Sequence, residues 1–373
     1  MMMRRFNYRH LWTILALVFC LVLYCEVLVY FVVLWHCHWP ELAAGHNNNQ
    51  VLRAFFIADT HLLGSLKGHW FDKLRREWQM HRGFVTAVSY LDPETVFFLG
   101  DLFDEGKWAS EAEFKVTVQR FHSLFPFDSS KKIVVVGNHD IGFHYDVTDN
   151  KRKRFYGAFG LDYSGVRRLT LKSIHFVLVD SLAMHGDDCE FCAPAVKKVK
   201  EIGHELHCME APDDPQCELA FSETYSRPIL LQHFPLFRLS DIDCHNEPDV
   251  LSDPEEKAKP FKPLWDCLSE KSSQFLLESI NPRLVLSGHT HNGCRQLHSL
   301  KDGSKIPEWS VASFSWRNRN NPVIVLAALT QDEFVLNKCY LPEESKVINV
   351  YTYGLLLIFV YAILTRRKFC SRL

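Results

Sequence analysis

Five short segments of this 373-residue chain end in metal-ligand side chains and follow a fixed order. They are Asp59-Thr60-His61, Gly100-Asp101, Gly137-Asn138-His139-Asp140, His233 after an apolar run, and Gly288-His289-Thr290-His291. Two cations about 3.5–4 Å apart need a carboxylate that reaches both, plus terminal His, Asp or Asn ligands delivered from several directions. Residues 51–58, 95–99, 133–136, 229–231 and 284–286 precede these segments and are runs of β-branched, aliphatic and aromatic residues, interrupted only by Arg53. Such runs fit strands covered on both faces. Open sheets seat ligands just beyond strand carboxyl ends, so the five segments are expected to converge. His69, His81, His122, His175, His185, His204, His207 and His298 lack that context and read as surface or core residues.

With these motifs the chain resembles the calcineurin-like metallophosphoesterases over residues 51–340. The resemblance implies an α/β sandwich of two β-sheets packed face to face and flanked by helices. Carried over by motif, it assigns Asp59, His61 and His291 to a first divalent cation and Asn138, His233 and His289 to a second, with Asp101 bridging. His139 is then free to act as general acid or charge stabiliser, with Asp104 orienting its imidazole. The implied chemistry is in-line hydrolysis of a phosphoester by a water that the cations activate. A nitrogen and oxygen donor set suits manganese, iron or zinc. Protein Ser/Thr phosphatases of this superfamily read GDxxDRG and GNHE, whereas Glu105 follows Asp104 and Asp140 follows His139 here, which argues against a protein phosphatase. Purple acid phosphatases carry a tyrosine where this chain has Asp104, which argues against their ferric site.

The ends of the chain are apolar. Residues 11–35 carry only Glu26 as a charge, and residues 347–365 form a second uncharged stretch. Each is long enough to cross the ~30 Å hydrocarbon core as a helix. Arg4, Arg5 and Arg9 precede the first, and Arg366, Arg367 and Lys368 follow the second. The positive-inside rule puts both ends in the cytoplasm and the domain between them on the far side. The expected organisation is cytoplasmic tails at 1–10 and 366–373, spans at 11–35 and 347–365, linkers at 36–50 and 341–346, and a lumenal domain at 51–340. A cleaved signal peptide is the alternative for the first stretch. A charged Glu26 in mid-membrane costs ~2.5–3.5 kcal/mol or more, so it is expected to be protonated or to face a partner such as Tyr351, Tyr353 or Tyr361.

A lumenal domain makes disulfides the default for the cysteines between Cys189 and Cys339. Cys189-Glu190-Phe191-Cys192, with Cys208 and Cys217, also matches half of a zinc site, and both readings stand. No Asn-x-Ser/Thr sequon occurs. A net charge of −2 excludes a general nucleic-acid role. Lys151-Arg152-Lys153-Arg154 reads as a solvated loop. His144 reads either as a pocket wall contacting substrate or as packing. Residues 313–322, with Arg317 and Arg319, suit a phosphorylated sugar, although neutral loop chemistry explains them too.

Phe56 to Gly64, Gly68-His69-Trp70, Asp72 to Met80, Phe103 to Trp108 and Phe314 to Pro322 further resemble the animal GPI-remodelling metallophosphoesterases. That resemblance implies a manganese enzyme that removes ethanolamine phosphate from the second mannose of GPI anchors. It implies GPI-anchored proteins as partners, recognition of the product by cargo receptors, and residence at ER exit sites, the ER–Golgi intermediate compartment and the cis-Golgi. The ending Phe369-Cys370-Ser371-Arg372-Leu373 departs from the family's basic retrieval signal. A lumenal phosphoesterase for other esters and a non-catalytic membrane adaptor are the competing classes.

Overall fold

The computed structural model describes residues 8–42, 50–217, 223–300 and 302–370. Arg4, Arg5 and residues 371–373, on which part of the topology and retrieval readings fall, lie outside the described residues. Strands β1 (Leu52–Ile57), β2 (Thr95–Leu99), β3 (Lys132–Val135), β10 (Val323–Leu329) and β11 (Phe334–Tyr340) form one sheet in the order β11-β10-β1-β2-β3. Strands β4 (Val166–Leu171), β5 (Ile174–Val179), β6 (Ile229–Gln232), β7 (Leu284–Ser287), β8 (Cys294–Ser299) and β9 (Lys305–Ser310) form the other, in the order β4-β5-β6-β7-β9-β8. In the first sheet β1, β2 and β3 run parallel while β10 and β11 pair antiparallel on the other side of β1, and in the second the centre β5-β6-β7-β9 is parallel with antiparallel edges at β4 and β8.

The apolar runs follow from this layering. Side chains alternate along a strand, so Ala54 and Phe56 of β1, Phe97 and Leu99 of β2, and Ile133 and Val135 of β3 face the second sheet. They meet Phe176, Leu178, Ile229, Leu231, Leu284 and Leu286 there. The intervening Phe55, Ile57, Val96, Phe98 and Val134 face the outer core shared with the helices. Both faces are therefore dry. The Phe97 ring stacks on Phe56 at 4.7 Å and reaches Phe176 across the layer at 4.9 Å. Flanking helices have clear sequence starts: Ser110 and Glu113 cap each other at Glu111–Leu124, and Ser269 accepts from Ser272 N–H at Glu270–Ile280.

Tyr8–Leu34 and Glu344–Thr365 are helices long and apolar enough to cross a membrane. They pack on each other. Tyr351 Oη donates to Glu26 Oε1 at 2.5 Å, which answers the mid-span carboxylate, and His10 Nδ1 lies 3.4 Å from Tyr361 Oη. Trp316 from the catalytic domain inserts among Cys25, Val29, Tyr30 and Val347, and its Nε1–H donates to the Pro342 carbonyl. A Cys37–Cys339 disulfide ties the end of the first helix to β11, a link the sequence reading did not anticipate. Among the described residues the other disulfides are Cys189–Cys192, Cys208–Cys217 and Cys244–Cys294.

The expected loop at 151–154 is instead part of a helix, Asp149–Phe159, started by Thr148 accepting from Lys151 N–H. Two of its cations have inward work. Arg152 is buried and donates to the Tyr163 carbonyl, and Arg154 donates to the Gly106 and Ala109 carbonyls. A four-residue charge run could not reveal which members turn inward.

Because Phe97 touches both layers, Phe97→Ala is expected to destabilise the domain by about 3–5 kcal/mol, the usual cost of emptying a buried phenylalanine site. Denaturant unfolding of the detergent-solubilised chain measures it. A loss within ~0.5 kcal/mol would contradict the described inter-sheet core.

Candidate metal centre

The parallel strands deliver the motif residues to one end of the sandwich. After β1, the Asp59 N–H donates to the Gly100 carbonyl and the His61 N–H to the Asp101 carbonyl, so the two ligand loops run side by side. After β7, the Gly288 N–H donates to the His233 carbonyl, which joins the loops of the second sheet. Asp140 holds the third loop: its carboxylate accepts from Phe103 N–H at 3.0 Å and Gly137 N–H at 2.9 Å. Burial and the neighbouring Asp101 push the Asp140 carboxyl up to about 8.

The backbone bends sharply where the ligands sit. Asp59, His61, Asp101, His289 and His291 all have positive φ, between 44° and 72°. Non-glycine residues pay about 1–2 kcal/mol each for that left-handed region, and Asp and His are among the side chains found there most often. Gly137 is required because a Cβ there would lie 2.2 Å from Asp101 Oδ1. Gly100 has φ +90°, and a Cβ there would lie 2.5 Å from His233 Nδ1. The glycines of the motifs thus make room for the carboxylate and the imidazole.

All seven expected ligands come together. Asp59, His61, Asp101 and His291 offer donor atoms within 4.8 Å of one another, and so do Asp101, His233 and His289. The Asn138 amide oxygen is 3.1 Å from His233 Nε2. Asp101 belongs to both groups, with its Oδ2 3.5 Å from His61 Nε2 and 3.4 Å from His233 Nε2. Its other oxygen accepts from the His139 N–H at 2.7 Å.

Outer hydrogen bonds fix which ring nitrogen faces the centre. His233 Nδ1–H donates to the Leu99 carbonyl at 2.8 Å, leaving Nε2 inward. His289 Nε2–H donates to the Trp265 carbonyl at 2.6 Å, leaving Nδ1 inward, 3.3 Å from His233 Nε2. His61 turns Nδ1 toward Asp104 at 3.4 Å and Nε2 toward His291 Nε2 at 3.0 Å. Inward nitrogens so close together need positive charge between them, which protons or cations can supply. Partners of this kind orient histidine ligands in metal sites.

The electrostatics agree. Burial opposes charge on His61, but hydrogen bonds to Asp104 and Asp59 outweigh it and raise its pKa to about 10. Burial likewise opposes charge on His233, but the Asp101 carboxylate raises it to about 9. Burial, reinforced by His233, lowers His289 to about 3. Burial lowers His291 to about 4, the Asp59 charge opposing it. Burial penalises the Asp59 and Asp101 charges too, yet the histidines hold both carboxyls below the usual carboxylate range. The donor set is oxygen and nitrogen, suits divalent cations, and fits the pair that the sequence implies.

His139 borders the same cavity, about 320 Å³ in volume, which Asp101, Asn138, Phe143, Trp265 and His289 also line. Its Nδ1–H donates to the Asp104 carbonyl at 3.0 Å, and the Asp104 carboxylate lies 3.5 Å away, so Asp104 orients the ring chiefly through its backbone. The Asp104 carboxylate meets Arg317 Nη2 at 2.9 Å. Arg317 therefore reaches the site through Asp104. Arg319 donates to Asn292 and Asn321 and to the Pro248 carbonyl, which engages it in the loop. His144 lies outside the cavity, bonded to the Leu182 carbonyl and Asp187 and stacked on His185.

The sequence reading missed Trp265 and Phe143. Their rings are 4.7 Å apart, and the exposed Tyr145 is 5.7 Å from Trp265. Phe143 could have been suspected from its place in Asn138-His139-Asp140-Ile141-Gly142-Phe143. Trp265 comes from an irregular segment with no motif.

Residues 52–293 match the calcineurin-like phosphoesterase model, and the chain belongs to that family. It is accordingly a metal-dependent phosphoesterase. It is also similar to proteins called Metallophosphoesterase 1: it is 48% identical to that of Mus musculus over 337 residues, 88% of this chain and 83% of the relative. For the Cricetulus griseus protein the identity is 45% over 372 residues, 97% of this chain and 92% of the relative. For the Danio rerio protein it is 44% over 354 residues, 94% and 90%.

Asp101→Asn is expected to lower bound metal and turnover together. His139→Ala should keep metal near the wild-type level while turnover falls ~10²–10⁴-fold, the usual size of a general acid–base contribution. Metal analysis beside steady-state rates separates the two, and equal metal loss would erase the distinction between ligand and acid.

Raised pKa values make metal and proton competitors. At pH 7–8 the ion-free His61 and His233 hold protons that ligation must expel, so loading both cations should release about two protons and tighten as pH rises toward 9 to 10. The stability that these protonated rings lend the ion-free fold is complete below ~6.5 and lost through the same upper window. Calorimetric titration in buffers of different ionisation enthalpy counts the protons, and a count near zero would contradict the assignment.

Proposed function

We propose that this chain is a lumenal phosphodiesterase that removes the ethanolamine phosphate branch from the second mannose of GPI anchors, with manganese as its metal. The reading starts from the sequence resemblance described above. The structural observation that supports it is the Phe143, Tyr145 and Trp265 platform beside the ligand cluster, on a domain joined at both ends to apolar helices. Aromatic faces offer large rigid contact area with a polar rim, which suits a glycan. A domain with two membrane tethers shares the bilayer surface with a lipid-anchored substrate.

Asp59, His61 and His291 would hold one cation, and Asn138, His233 and His289 the other, with Asp101 common to both. When bound, such a pair supplies Lewis acidity and a nucleophile at neutral pH. The chain's own groups do the rest. His139, held by Asp104, points its Nε2 at the cavity and is the group that gives a proton to the departing sugar oxygen. Burial lowers its pKa, so the acid-competent fraction falls as pH rises through a value below 6.5. Partners in this reading are GPI-anchored proteins and the cargo receptors that take the remodelled product. The compartments are ER exit sites, the ER–Golgi intermediate and the cis-Golgi.

Cells lacking the protein should carry GPI glycans heavier by one ethanolamine phosphate, and mass spectrometry of a reporter's anchor detects it. Trp265→Ala should slow GPI processing at least tenfold more than hydrolysis of a small diester, because only the glycan reaches the platform. Arg317→Ala should impair both substrates, since it acts through Asp104. An unchanged GPI mass with retained diesterase activity would favour a lumenal phosphoesterase for other esters.

Protease added to intact microsomes should trim only the tails and spare residues 51–340. Digestion of the domain without detergent would overturn the lumenal reading.

A further inference from the structure

A second cluster of metal-ligand side chains lies outside the catalytic cavity, where the Cys189-Glu190-Phe191-Cys192 insert meets the segment that follows His139. His144, Asp187, Cys189 and Cys192 offer donor atoms all within 4.8 Å of one another. His144 Nε2 is 2.8 Å from Asp187 Oδ2, and the Cys192 sulfur is 3.6 Å from Asp187 Oδ1 and 4.0 Å from His144 Nδ1. His185 stacks on His144 at 3.9 Å and turns its Nδ1 to Asp187 at 3.8 Å. The Leu182 carbonyl lies 3.2 Å from His144 Nδ1 and accepts its N–H, which leaves Nε2 for a ligand. This is the outer contact that orients metal-binding histidines. A disulfide needs only the two sulfurs. It gives no reason for two imidazoles and a carboxylate to gather on them.

We propose that His144, Asp187, Cys189 and Cys192 form a structural zinc site, exclusive with the Cys189–Cys192 disulfide and independent of the catalytic pair. Two thiolates, an imidazole and a carboxylate make a four-ligand set of the kind zinc fills without an open position. The catalytic donors are oxygen and nitrogen only, so the thiolates set this site apart and favour a softer ion. The exchange balances with a dithiol reductant. The reductant passes two electrons and two protons to the disulfide and becomes a disulfide itself, and zinc then displaces two protons from the thiols. Since His144 and His139 share one short segment, the bound ion would pin that segment to the helix Cys192–Glu210.

The full chain in detergent, reduced with a dithiol or left oxidised, is loaded with zinc alone or cobalt(II) alone and freed of unbound metal. The reduced chain should keep one zinc more per molecule than the oxidised chain. Asp101→Asn should keep that ion, and the Cys189→Ser/Cys192→Ser double variant should lose it. Cobalt should give a thiolate-to-metal absorption band, which catalytic donors cannot produce. Bound zinc should shield Cys189 and Cys192, but not Cys208 and Cys217, from iodoacetamide in the unmodified chain, so the result does not depend on any variant folding. Equal zinc in reduced and oxidised chains, a cobalt band that survives the double substitution, or unshielded Cys189 and Cys192 would each overturn the proposal.

Discussion

The arrangement of the whole domain follows from the need to hold Asp59 and Asp101 as charged carboxylates with almost no contact with water. A buried carboxylate is costly unless positive charge lies beside it. Here four imidazoles from loops of both sheets supply or await that charge. Loops from two facing sheets can converge only if each turns abruptly at its strand end, which is why five ligands have positive φ and why Gly100 and Gly137 have no room for a side chain. Backbone strain and close approach are thus concentrated where the chemistry is. The dry Phe56, Phe97 and Phe176 layer beneath keeps the strand ends from relaxing.

Much of this was legible in the sequence because two different signals coincided. Period-free apolar runs marked buried strands, and polar residues after each run marked their carboxyl ends. Strand limits agree to within a residue or two, since both faces of each strand are covered and the run stops where cover stops. The ligand assignment came from the motifs' resemblance to the family, and the structure brings those residues together. What the chain did not announce is whatever depends on contacts between distant segments. Arg317 reads as a substrate contact until its guanidinium is found on Asp104, and His144 reads as a pocket wall until its ring is found bonded to Asp187. Trp265 has no motif, yet its carbonyl fixes the His289 tautomer and its ring walls the cavity. Cys37 pairs with Cys339 at a separation of 302 residues, beyond any local pattern.

The apolar helices are joined to the site by one continuous stretch of chain. Trp316 inserts between them while the next residue, Arg317, holds the Asp104 carboxylate and so bears on both His61 and His139. Gln79 fixes the turn between these roles by accepting from the Trp316 N–H and donating to the Phe314 carbonyl. The Phe314 to Pro322 segment therefore links the apolar helices to the metal centre, which gives its mixture of arginines, amides and aromatics a structural cause.

Asp101 belongs to both donor groups, so this one carboxylate would serve two ions at once. Electron paramagnetic resonance of the manganese-loaded chain tests it most directly. Two Mn(II) ions bridged through Asp101 predict an exchange-coupled spectrum that appears only as the second equivalent binds. The hyperfine pattern of isolated, uncoupled ions persisting at full loading would contradict it.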